Sequence, residues 1–370
     1  MLNKSPIDPQ VFAERLGGWT SLAGPEHDVV VSSRVRLARN LSGYRFRTRI
    51  QPTEAEEIGQ RMLRVLETAP LDGDTNWVSI GDASTLLRLL LRERHLCSRD
   101  LAPAGERDDA LPGRAVAFGV GEDLSVMVNE EDHLRIQALA PGLDLEAALE
   151  RARGLDRKLE ELVDYAFTRE LGYLTGCPTN VGTGMRASVM LHLPALSMVP
   201  SELDKVIHSA QSTGLAVRGI YGEGSRATGD LYQISNQVTL GRSEEQLVGD
   251  LAALVPSILE FERKVRSALL DERGDQLRDR ITGARELLAS SRSVDTEGAL
   301  TALSLVRLGD LLGIETGLGI RDFGRLVVQV QKGHVQALGP RGEVDAAGDV
   351  VPASMRDDWR AAYLRLRFGR

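Results

Sequence analysis

The sequence predicts an α+β protein: a large antiparallel sheet flanked by helices, followed by a smaller, mainly helical C-terminal domain. Three observations lead there. Between about Val29 and Leu240, short β-like runs alternate with amphipathic stretches. Two of those runs, RAVAFGV from Arg114 and LSVMVNE from Leu124, are separated only by Gly121-Glu122-Asp123, a connection of hairpin length that joins antiparallel neighbours. Beyond Gly241 the apolar residues recur every three or four positions, the period of a helix with one buried face.

Taken in order, the strands are VVVSSRVRL from Val29, NWVSI from Asn76, the two hairpin runs, HLRIQAL from His133, ASVMLHL from Ala187 and LAVRGIY from Leu215. Helices are expected near Glu54 to Glu67, Leu145 to Arg169 and Ser201 to Ser212, and Ser98 to Gly113, with two prolines and two glycines, reads as a loop. The boundary to the second architecture falls between about Leu240 and Pro256. There Leu247, Leu251, Leu254, Ile258, Phe261, Val265 and Leu269 form one apolar stripe, and Leu277, Ile281, Ala284 and Leu288 form another. Ser304 to Leu312 is a third candidate helix. The chain thus divides into an N-terminal segment (1–24), a main domain (25–255) and a helical domain (256–370), whose apolar faces also suit a homodimer seam.

A chain of 370 residues with 42% hydrophobic content can bury a sizeable core. No apolar run has the roughly 18 to 20 residues a membrane helix needs, and MLNKSPIDPQ lacks the apolar core of a secretory signal, so the expected location is the cytoplasm. Cys97 and Cys177 lie far apart and read as free thiols. A net charge of -8 argues against a surface built to grip nucleic acid, while leaving room for a local basic cleft. Arginine supplies nearly all the positive charge, since Lys4, Lys158, Lys205, Lys264 and Lys332 are the only lysines.

The glycine patterns GTGMRA at Gly182 and GEGSRA at Gly222 imitate a dinucleotide fingerprint, yet neither stands in a strand-turn-helix unit with an acidic residue about 20 positions on. No phosphate-binding G-x-x-x-x-G-K loop, H-R-D catalytic loop or G-x-S-x-G elbow occurs. What recurs is arginine beside a strand or a glycine turn: SSRVR, HLR, RASVM and RGIYGE. Arg34 and Arg36, two apart on a strand, project from one face. The planar guanidinium stays charged and matches phosphate oxygens bidentately, so several such clusters on one sheet would form a polyphosphate clamp. In NEEDH, Glu130 and Glu131 point to opposite faces if the strand continues through them, so only one should reach a pocket. Glu223 stands in the turn Gly222-Glu223-Gly224. Carboxylates beside a phosphate clamp fit a cationic phosphoryl acceptor.

These segments resemble the ATP:guanidino phosphotransferases, the family of arginine and creatine kinases. The matching residues are SSRVRLARN from Ser32, NEEDHLRIQ from Asn129, CPTNVGTGMRASVMLHLP from Cys177, RGIYGEG from Arg218 and YQISNQVTLG from Tyr232. The resemblance implies ATP held with Mg²⁺ by Ser32-Ser33-Arg34-Val35-Arg36, His95, Arg135, Arg186-Ala187-Ser188-Val189-Met190 and Arg218-Gly219-Ile220-Tyr221-Gly222-Glu223. It further implies Glu131 and Glu223 on the acceptor guanidinium and Cys177 beside it. A guanidinium with a pKa above roughly 12 becomes a nucleophile only after losing a proton, which a carboxylate must take.

Only 31 residues precede Ser32, which leaves no room for the helical domain that encloses free substrate in the small-molecule members of this family. With the helical C-terminal part, this resembles the bacterial branch that phosphorylates arginine side chains in proteins. Arg356-Asp357-Asp358-Trp359-Arg360-Ala361 matches that branch's phosphoarginine-sensing R-D-x-x-R-A motif. If helical, Arg356 and Arg360 lie one turn apart, where two forks could share one phosphate. The resemblance also implies marking of proteins, a heat-shock repressor among them, for an unfoldase-protease, and an activator partner. Two other readings are a kinase for free arginine and an inactive phosphoarginine-binding adaptor; the intact Glu131, Glu223 and arginine set speaks against the second.

Overall fold

The computed structural model describes residues 1–21, 24–71, 73–103, 112–219, 227–314, 316–340 and 350–369. Its centre is a nine-stranded sheet built from β1 (Leu2–Asn3), β2 (Val30–Arg39), β3 (Thr75–Ser79), β4 (Ala115–Gly119), β5 (Leu124–Val128), β6 (Leu134–Pro141), β9 (Met185–His192), β10 (Leu215–Gly219) and β11 (Leu231–Asn236). A separate hairpin pairs β7 (Phe167–Thr168) with β8 (Gly172–Tyr173). The sheet order is β1-β3-β4-β5-β6-β2-β9-β11-β10. Every described pairing in it is antiparallel except the short edge strand β1, which runs parallel to β3.

The helices are α1 (Pro9–Glu14), α2 (Gly18–Ser21), α3 (Pro52–Thr68), α4 (Thr85–Glu93), α5 (Leu145–Glu160), α6 (Pro194–Met198), α7 (Pro200–Ser212), α8 (Glu244–Ser290), α9 (Thr296–Leu311), α10 (Ile320–Gln329), α11 (Lys332–Ala337) and α12 (Ala353–Phe368). Strict alternation along the central strands sends Val35 and Leu37, Ile136 and Ala138, and Ala187 and Val189 to one face. There they meet Ile58 and Met62 of α3, Leu149 and Leu155 of α5, and Leu251 and Ile258 of α8 in the main core. The opposite face is covered mainly towards its two ends, with Trp19 of α2 and Val328 of α10 also packing on Leu139 of β6. Leu87 and Leu91 of α4 pack on Val116, Phe118 and Met127, while helices α9 and α10 pack on Leu231 and Met190. Between these covers lies the strip of β6, β2 and β9 that carries arginine.

Two elements differ from expectation. The helix from Leu145 ends at Glu160, not near Arg169, because Ser42 donates to the Asp164 carbonyl, Ala166 to the Asn40 carbonyl, and Leu41 bridges Tyr165. Buried Val163 and Tyr165 therefore belong to an extended segment beside the end of β2. The two apolar stripes after Gly241 lie on one 47-residue helix, α8, which bends at Arg273 (φ -138°, ψ 31°).

The C-terminal helices are joined to the sheet by buried polar contacts. Glu262 of α8 is fully buried, its two carboxylate oxygens accept from the Ala195 and Leu196 amides at 3.1 and 3.0 Å, and burial raises its pKa to about 7. Ser304 of α9, also fully buried, donates to Asp230 at 2.5 Å and lies 2.8 Å from His192 Nε2. With the Ser304 proton on Asp230, His192 donates through Nε2, which leaves its Nδ1 the buried atom without a partner. Ser304→Ala leaves both groups under-satisfied in the interior, and thermal unfolding should show a loss of about 1–3 kcal/mol; unchanged stability would mean the contact contributes nothing.

Candidate active site

Register alone gathers the arginines. Arg36 stands opposite Arg186 on one side and Gln137 on the other, Ala38 is opposite Arg135, and Arg34 is opposite Ser188. Continuing across the sheet, Met190 pairs with Gln233 and Gln233 with Arg218, so Arg34, Arg36, Arg135, Arg186 and Arg218 share one face. Such crowding of like charge is costly. Burial and then the charges of Arg135 and Arg186 push the Arg34 guanidinium down to about 10. Arg36 is held well below its ordinary value by burial and by Arg34, Arg135 and Arg186. Arg34 remains a cation at pH 7.

Counter-charge within the strip is sparse. Arg34 Nη2 donates to the neutral Gln233 amide oxygen at 2.6 Å, and buried Arg36 Nε has no partner among the described residues. Arg135 is matched on two sides, by Glu130 at 2.6 Å and Glu131 at 2.7 Å. Cations left this way are built to take an anion with several oxygens.

The two glutamates correct one expectation. Strand β5 stops at Val128, Asn129 adopts a positive φ of 56°, and the chain turns so that both carboxylates reach the same guanidinium. Their environments still differ: the Glu130 side chain is fully buried, while that of Glu131 is 42% exposed and faces the open strip. Asn129 holds this turn by donating from its amide to the Ala55 and Gly113 carbonyls at 2.8 and 3.0 Å.

Asp132 and Asn40 are functional positions that the sequence reading passed over. Asp132 is fully buried, accepts from Asn40 Nδ2 at 2.7 Å and from the Gly176 amide at 2.6 Å, and so pins the segment that carries Cys177. Burial raises its pKa, against those two bonds. Asn40 also donates to the Leu174 carbonyl and accepts from the His133 amide, which locks the end of β2 to both loops. The signal lay inside the quoted motifs, as the final residues of SSRVRLARN and the fourth of NEEDH.

Cys177 is half-buried, with Sγ 3.0 Å from Thr179 Oγ1. It belongs to the charge environment of Arg186, together with Glu131, Arg135 and Arg218. Both cysteines are free thiols, and buried Cys97 is pushed up to about 12, out of reach of ordinary thiol chemistry. Ser32, Ser33, Val35, Ala187, Ser188, Val189, Met190 and Gly219 lie on β2, β9 and β10 around the arginines. Of these, Val35, Ala187 and Val189 face the core and Ser33, on the same face, donates to the Gly142 carbonyl and accepts from the Asp144 amide, so the side chains of these four point away from the arginines. Ile220, Tyr221, Gly222 and Glu223 lie outside the described residues.

His95 follows α4 in the left-handed region (φ 58°), with its carbonyl accepting from Gln137 Nε2 at 2.6 Å and its ring 5.6 Å from that of Trp19. Burial, then Arg34 and Arg36, push it down to about 3, so it is neutral wherever the protein works. It faces a cavity of about 750 Å³ that Arg34, Arg92, Arg99, Lys332 and Arg356 also line. The second arginine of the C-terminal motif is used differently. Arg360 is 1% exposed and donates to the Val330 and Val294 carbonyls, Asp357 and Thr296, so it braces α12 while Arg356 borders the cavity. The expected pair of forks on one phosphate is therefore reduced to Arg356, which is 9% exposed and also donates to the Val351 carbonyl. Among the described residues no group of three or more metal-ligating side chains gathers.

Comparison with known proteins follows this geometry. Residues 57–265 match the model for the ATP:guanido phosphotransferase C-terminal catalytic domain, and residues 274–370 match the protein-arginine kinase McsB C-terminal domain. The chain is 41% identical to the protein-arginine kinase of Halothermothrix orenii over 96% of its own length and 97% of that protein. It is 40% identical to that of Bacillus subtilis, over 96% and 94%. Among solved structures it resembles a lombricine kinase (TM-score 0.57, 29% identity, 72% of this chain and 74% of that one). It also resembles the duplicated taurocyamine kinase of Schistosoma mansoni (TM-score 0.59, 30%, 68% and 35%).

Neutral His95 gives a signed pH effect. The unfolded chain protonates this residue below pH 6.5 and the folded one only near 3, so stability is lost as pH falls through that window. His95→Asn, which keeps the left-handed backbone accessible, should lose about 2 kcal/mol less than the parent between pH 7.5 and 5.0 in urea unfolding. Equal losses would mean that His95 titrates freely.

Proposed function

The chain belongs to the ATP:guanido phosphotransferase family and works as an ATP-dependent kinase on arginine in proteins; from that premise we propose how its residues divide the task. Arg34, Arg36, Arg135, Arg186 and Arg218 hold the phosphates of ATP, and His95 borders the base. The observation that carries this reading is the charge at Arg34 and Arg36: among the described residues buried Arg36 Nε lacks a partner, and the partner of Arg34 Nη2 is the neutral Gln233. A polyphosphate answers both. Mg²⁺, held mainly by phosphate and water, would supply further neutralisation of the transferring group.

Glu131, with Glu223, orients the acceptor guanidinium in line with the γ-phosphorus, and Glu131 takes a proton from the attacking nitrogen. The N–P bond forms as the bond from phosphorus to the bridging oxygen breaks, and that electron pair leaves on ADP. Glu131 is paired with Arg135 at 2.7 Å in the resting chain. Phosphate oxygens that compete for Arg135 would release this carboxylate toward the acceptor, so nucleotide and acceptor should bind synergistically. Cys177 stands beside the reacting nitrogen, a role supported by the hydrogen bonds from Asn40 and Gly176 to Asp132 that fix its loop.

The half-exposed Glu131 suits an arginine still attached to a polypeptide. On this reading the product marks proteins, a heat-shock repressor among them, for an unfoldase-protease in a stress response. An activator protein, a homodimer formed through the helical domain (256–370) and a cytoplasmic location complete it, with no part for nucleic acid. Among the described residues no helix is long and apolar enough to cross a membrane. Arg356, with Asp357 and Arg360 as its support, serves as a phosphoarginine receptor on the wall of the cavity that Arg34 and His95 also line.

Incubation of a basic protein with enzyme and Mg-ATP, followed by mass spectrometry under non-acidic conditions, should find phosphate on arginine side chains and little on free arginine. Glu131→Ala and Glu223→Ala should each lower turnover by at least about a hundredfold while ATP affinity stays within a few-fold. Transfer to free arginine alone would reassign the enzyme to small guanidines, and full activity in both variants would remove the carboxylate assignment.

A further inference from the structure

Exposed apolar residues cluster around the acceptor loop. Phe167 and Leu171, at the β7–β8 hairpin, are 55% and 45% exposed, and Val238 and Leu240, just past β11, are 61% and 49% exposed. Scattered apolar residues on a surface need no explanation, but two pairs on either side of one loop form a patch.

The two segments bracket the stretch 177–184 by direct contact. On one side, Tyr173 N donates to the Gly182 carbonyl at 2.8 Å and Gly182 N returns to the Tyr173 carbonyl at 3.3 Å. On the other, Thr239 Oγ1 lies 3.1 Å from the Thr179 carbonyl and 2.6 Å from that of Val181. Gly182 is squeezed between them with φ 113°, where a Cβ would come within 2.8 Å of the Thr239 carbonyl. Tyr173 is itself held from behind by Arg39, whose guanidinium carbon lies 3.5 Å from the ring centroid and whose carboxylate partner is Asp156 at 2.7 Å. The hairpin is thus rigidly mounted while Phe167, which touches Tyr173 edge-on at 5.3 Å, stays largely open. Between residues 161 and 173 the charged residues are Glu161, Asp164, Arg169 and Glu170, all exposed, so this segment is acidic on balance.

We propose that this patch binds the polypeptide on both sides of the target arginine and selects arginines flanked by apolar residues, as unfolded segments expose them. The inference rests on the reading that Glu131 and Cys177 receive an arginine side chain. A chain anchored there must cross the neighbouring surface, and an extended backbone advances roughly 3.3 Å per residue, so positions two to four away from the arginine fall about 7–13 Å along it. An acidic border suits a partner that brings a cation.

Two peptides that differ only beside one arginine test this, one with Leu and Phe three residues before and after, the other with Gly and Ser throughout. The parent enzyme should prefer the first. The double variant Phe167→Ser/Val238→Ser should lose at least about five-fold in kcat/KM on that peptide while the Gly/Ser peptide and the KM for ATP change less than about two-fold. No preference in the parent, or equal losses on both peptides, would overturn the proposal and leave the kinase reading standing. A parent that binds ATP yet phosphorylates neither peptide would remove both readings. Sedimentation that shows a parent dimer and a monomeric variant would assign the patch to a second copy of the chain instead.

Discussion

Like charge packed onto one face of a sheet is the constraint to which the rest of the site responds. Antiparallel register sets Arg36 against Arg186 and one strand away from Arg135, with Arg34 on the same face. Guanidinium groups in such proximity repel, and burial raises the cost because water cannot screen them fully. Among the described residues Glu130 and Glu131 relieve it, by direct pairing at Arg135 and at longer range for Arg36 and Arg186. A sheet shaped for stability alone would place apolar residues on this strip, as it does on the opposite face of the same strands. The excess charge is held in place by cooperative strand pairing and a large core on the other face, so the site is ready for a polyanion before one arrives.

The same constraint accounts for how the surrounding loops are fixed. A site that holds repelling groups needs firm walls, and those walls combine buried hydrogen bonds with the buried ion pairs Arg39–Asp156 and Arg94–Glu122. Asp132 and Asn40 tie the acceptor loop to the end of β2, and Asn129 fixes the turn that brings two carboxylates to one guanidinium. From the C-terminal part, Glu262 and Ser304 join α8 and α9 to the β9 and β11 edge, and Glu93 accepts from the Gly333 and His334 amides of α11. The helical region is therefore continuous with the walls of the cavity that Arg34 and Arg356 share.

The sheet and its polar face were legible in the sequence because both depend on period two. Alternation in SSRVRL separates Arg34 and Arg36 from Val35 and Leu37 without any tertiary information, and the structure keeps that separation. Helix α3, expected near Glu54 to Glu67, runs from Pro52 to Thr68. The failures fall where tertiary contacts overrule local pattern. Glu160 ends a helix whose apolar spacing continues, since Tyr165 pairs with the chain beyond β2 instead. The two glutamates converge because Asn129 leaves the strand, which no alternation rule foresees. Arg360 sits on the expected helical face beside Arg356, yet nearby carbonyls and Asp357 occupy its donors, and only packing decides that.

The central claim is that the arginine strip costs the unliganded fold stability and repays it when nucleotide binds. Equilibrium unfolding of the parent and of Arg36→Met, with and without Mg-ATP, tests it directly, because the variant keeps a side chain of similar reach without the charge. The account predicts that Arg36→Met is more stable than the parent without nucleotide and gains little from Mg-ATP, whereas the parent gains strongly. A variant less stable than the parent and still stabilised equally by Mg-ATP would contradict it.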